Sequence, residues 1–225
     1  MGLLAAVVCP SIAAPAYCGS FIGAIVTKSS DFKTSLGPLL AISIIAACQL
    51  TFFDCYRILS GIGGRLGFIA FTSGIVYQLP HFLTLLGQNG SKFKNIPRDW
   101  CGFVVATMTG ATACSLLRTK SKLSPVLASG FVGLVAQALA SYHVSMRAAA
   151  KMIWCGSFVA MSTPILTVPE LLSSSVISTF AAFILQSIGW NVGGQLGAAA
   201  LIGVIVVKKT ISLTTSIISW KKTHV

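Results

Sequence analysis

Seven stretches without a single Asp, Glu, Lys or Arg, at 1–27, 34–53, 66–91, 100–117, 123–146, 152–169 and 171–207, together hold 170 of the chain's 225 residues. A hydrocarbon core about 30 Å thick takes roughly 20 apolar residues per helix, and the longest run has room for two short spans. Charged residues make up only 9% of the chain, against roughly a quarter in a soluble domain. Such a chain has too little polar surface to face water on all sides. Soluble enzymes, nucleic-acid modules and secreted disulfide scaffolds are thereby excluded. The runs are continuously apolar rather than alternating, which disfavours a β-barrel. The sequence therefore reads as an all-α polytopic membrane protein with about seven to eight transmembrane helices.

The expected spans are 3–26, 36–53, 58–79, 100–117, 123–142, 149–168, 171–190 and 193–207. Pro10 and Pro15 interrupt the first, because proline removes a backbone donor and bends or breaks a helix. Only Asp54-Cys55-Tyr56-Arg57 separates the second from the third, which leaves either a tight reversal or one broken element. Short loops on one membrane side normally collect Lys and Arg. Eight spans put Lys28, Lys33, Lys92, Lys94, Arg98, Arg147 and Lys151 on one side. Arg57, Arg118, Lys120, Lys122, Lys208, Lys209, Lys221 and Lys222 fall on the other, so orientation stays open. The net charge of +12 sits in the gaps between apolar runs, a placement that suits anionic lipid headgroups rather than nucleic acid. The start of the chain has neither a basic n-region nor an Arg-rich amphipathic pattern.

Two fragments recur: Cys18-Gly19-Ser20-Phe21 returns as Cys155-Gly156-Ser157-Phe158, and Gly63-Gly64-Arg65-Leu66-Gly67 as Gly193-Gly194-Gln195-Leu196-Gly197. Internal repeats mark many transporters, but echoes arise easily in a chain this rich in Gly, Ala and Ser. Small residues four apart, including Gly63/Gly67, Ala106/Gly110 and Ser129/Gly133, with Gly130 beside the last pair, suit close helix packing in lipid. The chemically reactive inventory is thin. The four carboxylates, Asp31, Asp54, Asp99 and Glu170, fall on different segments. His81 and His143 have no partner at metal-ligand spacing. The expectation is a protein with no catalytic, cofactor or metal site, hence not an enzyme. Arg65 is the one charge inside an apolar run; it either snorkels to the interface or meets a lipid phosphate or another subunit's acid. Of seven cysteines, Cys55 and Cys114 fall at one membrane face if the third and fourth spans form a hairpin.

Residues 54–165 resemble the mitochondrial inner-membrane translocase family, whose four-helix members include preprotein-translocase subunits and an accessory subunit of respiratory complex I. Asp54-Cys55-Tyr56-Arg57, then Thr112-Ala113-Cys114 with Arg118, then Ser129-Gly130 carry the resemblance. Lys122, Thr107 and Leu134 depart from the family pattern. The resemblance implies a four-helix core over 54–168 flanked by added helices at 1–53 and by added helices and a basic tail at 169–225. It implies the inner mitochondrial membrane, a Cys55–Cys114 disulfide, and a non-catalytic scaffold subunit, closest to that of complex I. Such a subunit braces its membrane neighbours and holds anionic phospholipid such as cardiolipin, with Gly63, Gly67, Ala106, Gly110, Ser129, Gly130 and Gly133 as packing faces. Arg57, Arg65, Arg118, Lys120 and Lys122 are then the lipid or subunit contacts. Two alternatives stand beside it. A preprotein-translocase subunit would line a polar cavity with Gln49, Gln78, Gln137, Gln186 and Asn191. A small-solute transporter or channel would use helices broken at Pro10, Pro15, Pro164 and Pro169.

Overall fold

A computed structural model describes residues 13–26, 32–86, 99–142, 146–187 and 193–223. Among them are eight helices: α1 (Ala13–Val26), α2 (Phe32–Cys55), α3 (Arg65–Leu86), α4 (Trp100–Lys120), α5 (Pro125–Tyr142), α6 (Met146–Val159), α7 (Val168–Ser187) and α8 (Gln195–Thr223). Five contain stretches long and apolar enough to cross a membrane: Gly37–Cys55, Trp100–Lys120, Pro125–Tyr142, Val168–Ser187 and Gln195–Ser216. The chain is thus a multi-pass helical protein by length and composition. Helices α1 and α6 have only 14 residues each, roughly 21 Å of rise at 1.5 Å per residue. That is short of a hydrocarbon core.

The boundaries follow from local chemistry. Helix α5 opens with Pro125 at a position whose N–H would be unbonded anyway, and the Ser124 hydroxyl accepts the Leu127 N–H at 3.3 Å as an N-cap. Helix α7 opens with one half of a capping box. The Glu170 carboxylate accepts both the Thr167 N–H and the Thr167 hydroxyl at 2.7 Å, while Leu171 N–H returns to the Thr167 carbonyl at 2.8 Å. Arg118 and Lys120 occupy the last turn of α4, where cations offset the carbonyl end of the helix dipole.

Several boundaries differ from expectation: α3 runs on to Leu86 rather than 79 and α8 to Thr223 rather than 207, and two breaks are placed differently. The segment between the second and third spans is neither a tight reversal nor a continuous helix. Helix α2 ends at Cys55, and a chain of turns occupies 56–64 before α3 begins at Arg65. Left-handed backbone at Arg57, Leu59, Gly61 and Gly64 makes that path. Helix α6 stops at Val159 rather than running to 168, and a non-helical segment leads over Thr163 and Pro164 to the start of α7. Pro15 lies in the first turn of α1, where proline is tolerated. Pro10 lies outside the described residues.

The core joins α1, α2, α3, α6, α7 and α8 through small and aliphatic side chains, including Ala46, Ile69, Ala70, Cys155, Phe158, Ala182, Ala199 and Val204. Helix α8 packs against α3, α6 and α7, and α4 lies across α6 and α7.

Candidate functional site

At the centre of the bundle α3 and α8 cross on glycine. Gly67 and Gly197 touch so closely that a Cβ on Gly67 would lie 2.7 Å from the Gly197 Cα, and one on Gly197 would lie 2.6 Å from the Gly67 Cα. One turn earlier on each helix of the crossing stand Gly64 (φ +85) and Gly194 (φ +83), left-handed positions that glycine adopts without steric cost. A Cβ on Gly64 would meet Leu201 N at 2.8 Å and Ala200 Cβ at 3.2 Å; one on Gly194 would meet Phe71 N at 2.8 Å and Ala70 Cβ at 3.2 Å. Each contact has a symmetric counterpart offset by 130 positions, Gly64–Leu201 matching Gly194–Phe71. Residues near 64 meet those near 201, and residues near 71 meet 194, so the two helices run antiparallel.

The correspondence extends to the short helices. The Cys18 thiol donates to the Leu66 carbonyl and the Cys155 thiol to the Leu196 carbonyl, each at 3.5 Å. Ser20 Oγ donates to Tyr17 O at 2.7 Å, and Ser157 Oγ to Trp154 O at 2.8 Å. Phe21 and Phe158 meet each other edge to face at 5.4 Å. The two sequence echoes are therefore the cores of one structural repeat. Helices α1–α3 correspond to α6–α8 about a pseudo-two-fold axis through the Gly67–Gly197 contact.

Hydroxyls also pair between the helices of the bundle. Tyr17 OH and Ser129 Oγ are 3.0 Å apart, and Ser129 Oγ and Ser157 Oγ 2.9 Å, so a chain of hydroxyls links α1, α5 and α6. Thr179 donates to Thr107 at 2.8 Å between α7 and α4. Thr72 donates to Gln49 at 2.7 Å. Ser174 and Ser178, both fully buried, have no hydrogen-bond partner for Oγ among the described residues; on α7 they face α8 at Gly203, where a Cβ would lie 2.5 Å from Ser174 O.

A third cluster holds the ends of the broken helices together. Gly63 N–H donates to Ser162 Oγ at 2.8 Å, and Thr163 N–H donates to Gly61 O. Arg118 donates to the carbonyl oxygens of Ala160 and Ser162. These carbonyls lie just beyond the end of α6, and Pro164 has no N–H to offer that of Ala160.

The expected site residues fall as follows. Gly67 packs on α8, but Gly63 precedes α3 and faces the end of α6, so the two glycines do not share one helix face. Gly110 seats the Ile153 backbone, with a hypothetical Cβ 2.8 Å from Ile153 Cα, while Ala106 is half-buried beside it. Gly133 lies under the Trp154 ring, whose Nε1–H donates to its carbonyl at 2.7 Å; Ser129 is buried and Gly130 half-buried. Arg65 pairs with Asp54 of its own chain. The tight turns at 56–64 carry the end of α2 back over the start of α3 and bring the two together. Arg118 is bound to backbone carbonyls and turned inward. Arg57, Lys120 and Lys122 are exposed. Cys55 and Cys114 are both free, Cys55 exposed at the end of α2 and Cys114 buried in α4. Gln78, Gln137 and Gln186 are exposed, and Asn191 and His143 lie outside the described residues.

Reading the residues missed the hydroxyl chain, because Ser and Thr are ordinary on apolar helices. The echoes carried the signal for the crossing itself. The arrangement brings together hydroxyls, backbone carbonyls and glycine surfaces; among the described residues no three His, Cys, Asp or Glu converge as a metal site. No protein-family model matches the chain, and no curated protein or solved structure is detectably similar to it.

Proposed function

We propose that the chain moves a small solute across a membrane, as a carrier or channel built from two inverted repeats. The glycine crossing carries this reading. Helix α8 is long and apolar enough to span, so a two-fold axis that exchanges it with an antiparallel α3 lies in the membrane plane, the arrangement of inverted-repeat transporters. Three features support it. Helices α1 and α6 are short, and α6 ends inside the protein at the buried Val159. Non-helical backbone interrupts the bundle at 56–64 and 160–167, and its Gly63, Gly64, Ala160 and Ser162 are buried against protein, as irregular backbone at membrane depth must be. Buried hydroxyls pair between the helices. No enzymatic step is assigned. A contact without side chains presents a smooth surface on which one repeat can rock against the other.

The test is solute uptake by proteoliposomes holding the purified chain, screened against small organic acids, amino acids and sugars. Uptake of at least one solute, lost when Gly67→Leu wedges the crossing apart, is the expected result. Absence of uptake for every class by correctly folded protein overturns the proposal.

A second reading is the accessory subunit of a mitochondrial inner-membrane complex such as complex I. The outward apolar residues Leu40, Ile44 and Phe52 of α2 favour it, as a face for a neighbouring subunit. Co-purification with a large assembly in mild detergent, without uptake, would select this reading instead.

A further inference from the structure

Positions 65 and 195 are equivalent in the two repeats, and each carries a hydrogen-bond donor that nothing uses. Arg65 Nε and Gln195 Nε2 are both buried and have no partner among the described residues. The remaining such atoms there are Ser174 Oγ and Ser178 Oγ, which sit at the tight contact of α7 with Gly203, where a Cβ would already lie 2.5 Å from Ser174 O. No ligand fits between those helices. Repeat symmetry gives positions 65 and 195 a different setting. A two-fold axis that exchanges antiparallel helices runs perpendicular to both, so equivalent side chains project to one side of the α3/α8 pair. Each residue lies two positions from the Gly67–Gly197 contact, in opposite directions, which separates them by about 6 Å along the pair at 1.5 Å per residue. Both are the first residue of their helix, so the positive ends of two helix dipoles lie within a turn of the contact.

From this pair of unused donors we infer that the solute is a small carboxylate with a second oxygen acceptor, bound beside the crossing with its carboxylate on Arg65 and its hydroxyl or carbonyl oxygen on Gln195. The inference rests on the carrier reading above, in which the axis lies in the membrane plane and both donors stand near mid-depth. A buried donor without an acceptor is costly, and at that depth a bound solute supplies the acceptor. The two donors differ in charge, which sets the solute's polarity: one end meets a guanidinium, the other a neutral amide. Asp54, which accepts from the Arg65 guanidinium, is exposed among the described residues. A carboxylate at membrane depth needs water beside it, and that water marks the solute's approach to Arg65.

Thermal unfolding of the purified chain in glycolate, lactate or 4-hydroxybutyrate, at matched ionic strength, tests this, because a ligand that binds only the folded state raises the midpoint. At least one acid is expected to raise it, by about 3–6 °C at ten times its half-saturating concentration, while the corresponding amides do not. This comparison uses the wild type and needs no variant to fold. Arg65→Gln, which removes the charge, and Gln195→Leu, which removes the amide donor, are each expected to raise the half-saturating concentration roughly tenfold or more. Lys120→Gln, at an exposed position at the end of α4, should leave it unchanged. No response to any of the acids, an equal response to acids and amides, or a response that survives both Arg65→Gln and Gln195→Leu overturns the inference. Proteoliposome uptake separates the two claims. Uptake of another solute class with no response to these acids overturns the site and leaves the carrier standing; a response without uptake of any acid keeps the site and overturns the carrier.

Discussion

Gly67→Ala adds one carbon where there is no room for it. The new Cβ would stand 2.7 Å from the Gly197 Cα, whereas carbon atoms rest at about 3.5–4.0 Å, so α3 and α8 must separate by roughly 1 Å. The partner atom is backbone and cannot rotate away. Overpacking of this kind costs about 1–3 kcal/mol, which for a chain of this size lowers the unfolding midpoint by roughly 2–4 °C per kcal/mol. Gly197→Ala meets the Gly67 Cα at 2.6 Å and should lose the same amount. The two substitutions strain one contact, so the double variant should cost clearly less than the sum of the singles, as coupled neighbours do. Gly102→Ala, on the open face of α4 where a Cβ meets nothing within 4 Å, is the control; it should be neutral or stabilising because alanine is the better helix former. Thermal unfolding of the purified protein, followed by intrinsic fluorescence, measures all four. A Gly67→Ala midpoint equal to that of Gly102→Ala, or a double variant equal to the sum of its singles, would refute the crossing.

Other consequences are as specific. Replacing Arg65 with the Gln found at its counterpart, position 195, should be milder than Asp54→Asn, because removing the carboxylate leaves the largely buried guanidinium unpaired; unfolding midpoints decide the order. Arg118→Met leaves the Ala160 and Ser162 carbonyls without their donor and should cost about 1–3 kcal/mol, visible in the same melt; no change would show the capping to be dispensable. Trp154→Phe keeps the ring over Gly133 but removes the Nε1–H donor, for a loss of about 1 kcal/mol. With both thiols free, a polyethylene-glycol maleimide should add to Cys55 in the folded protein and to Cys114 only after denaturation, without any reductant; a requirement for reductant would restore the disulfide.

Much of the architecture is legible in the sequence. The charge-free runs located every described helix, and α4 and α5 begin within two residues of where the runs place them. The broken ends were harder to read. Helix α6 ends near Val159 because Pro164 has no N–H to give the Ala160 carbonyl and its ring crowds that carbonyl; Arg118, distant in sequence, takes it instead, together with that of Ser162. The Gly-Gly-x-Leu-Gly echo was visible, but its meaning needed three dimensions. A left-handed glycine followed by a close-contact glycine has the same letters whether it turns a loop or seats a helix, and only reciprocal contact distinguishes the two. The hydroxyls of Tyr17, Ser129 and Ser157 come from three helices, so no local pattern joins them. At Arg65 the partner is an exposed acid eleven residues earlier that folds back to meet it.

The central claim is that two repeats of this chain face opposite ways in the membrane. Arg57 precedes α3 and Ser187, 130 residues later, ends α7 ahead of α8; they are equivalent positions of the two repeats. Single cysteines at these two sites, in a protein lacking its native thiols, can be labelled in sealed, oriented vesicles with a membrane-impermeant maleimide. Inverted repeats predict that one site reacts only from outside and the other only after the vesicles are opened. Reaction of both from the same side would contradict the account.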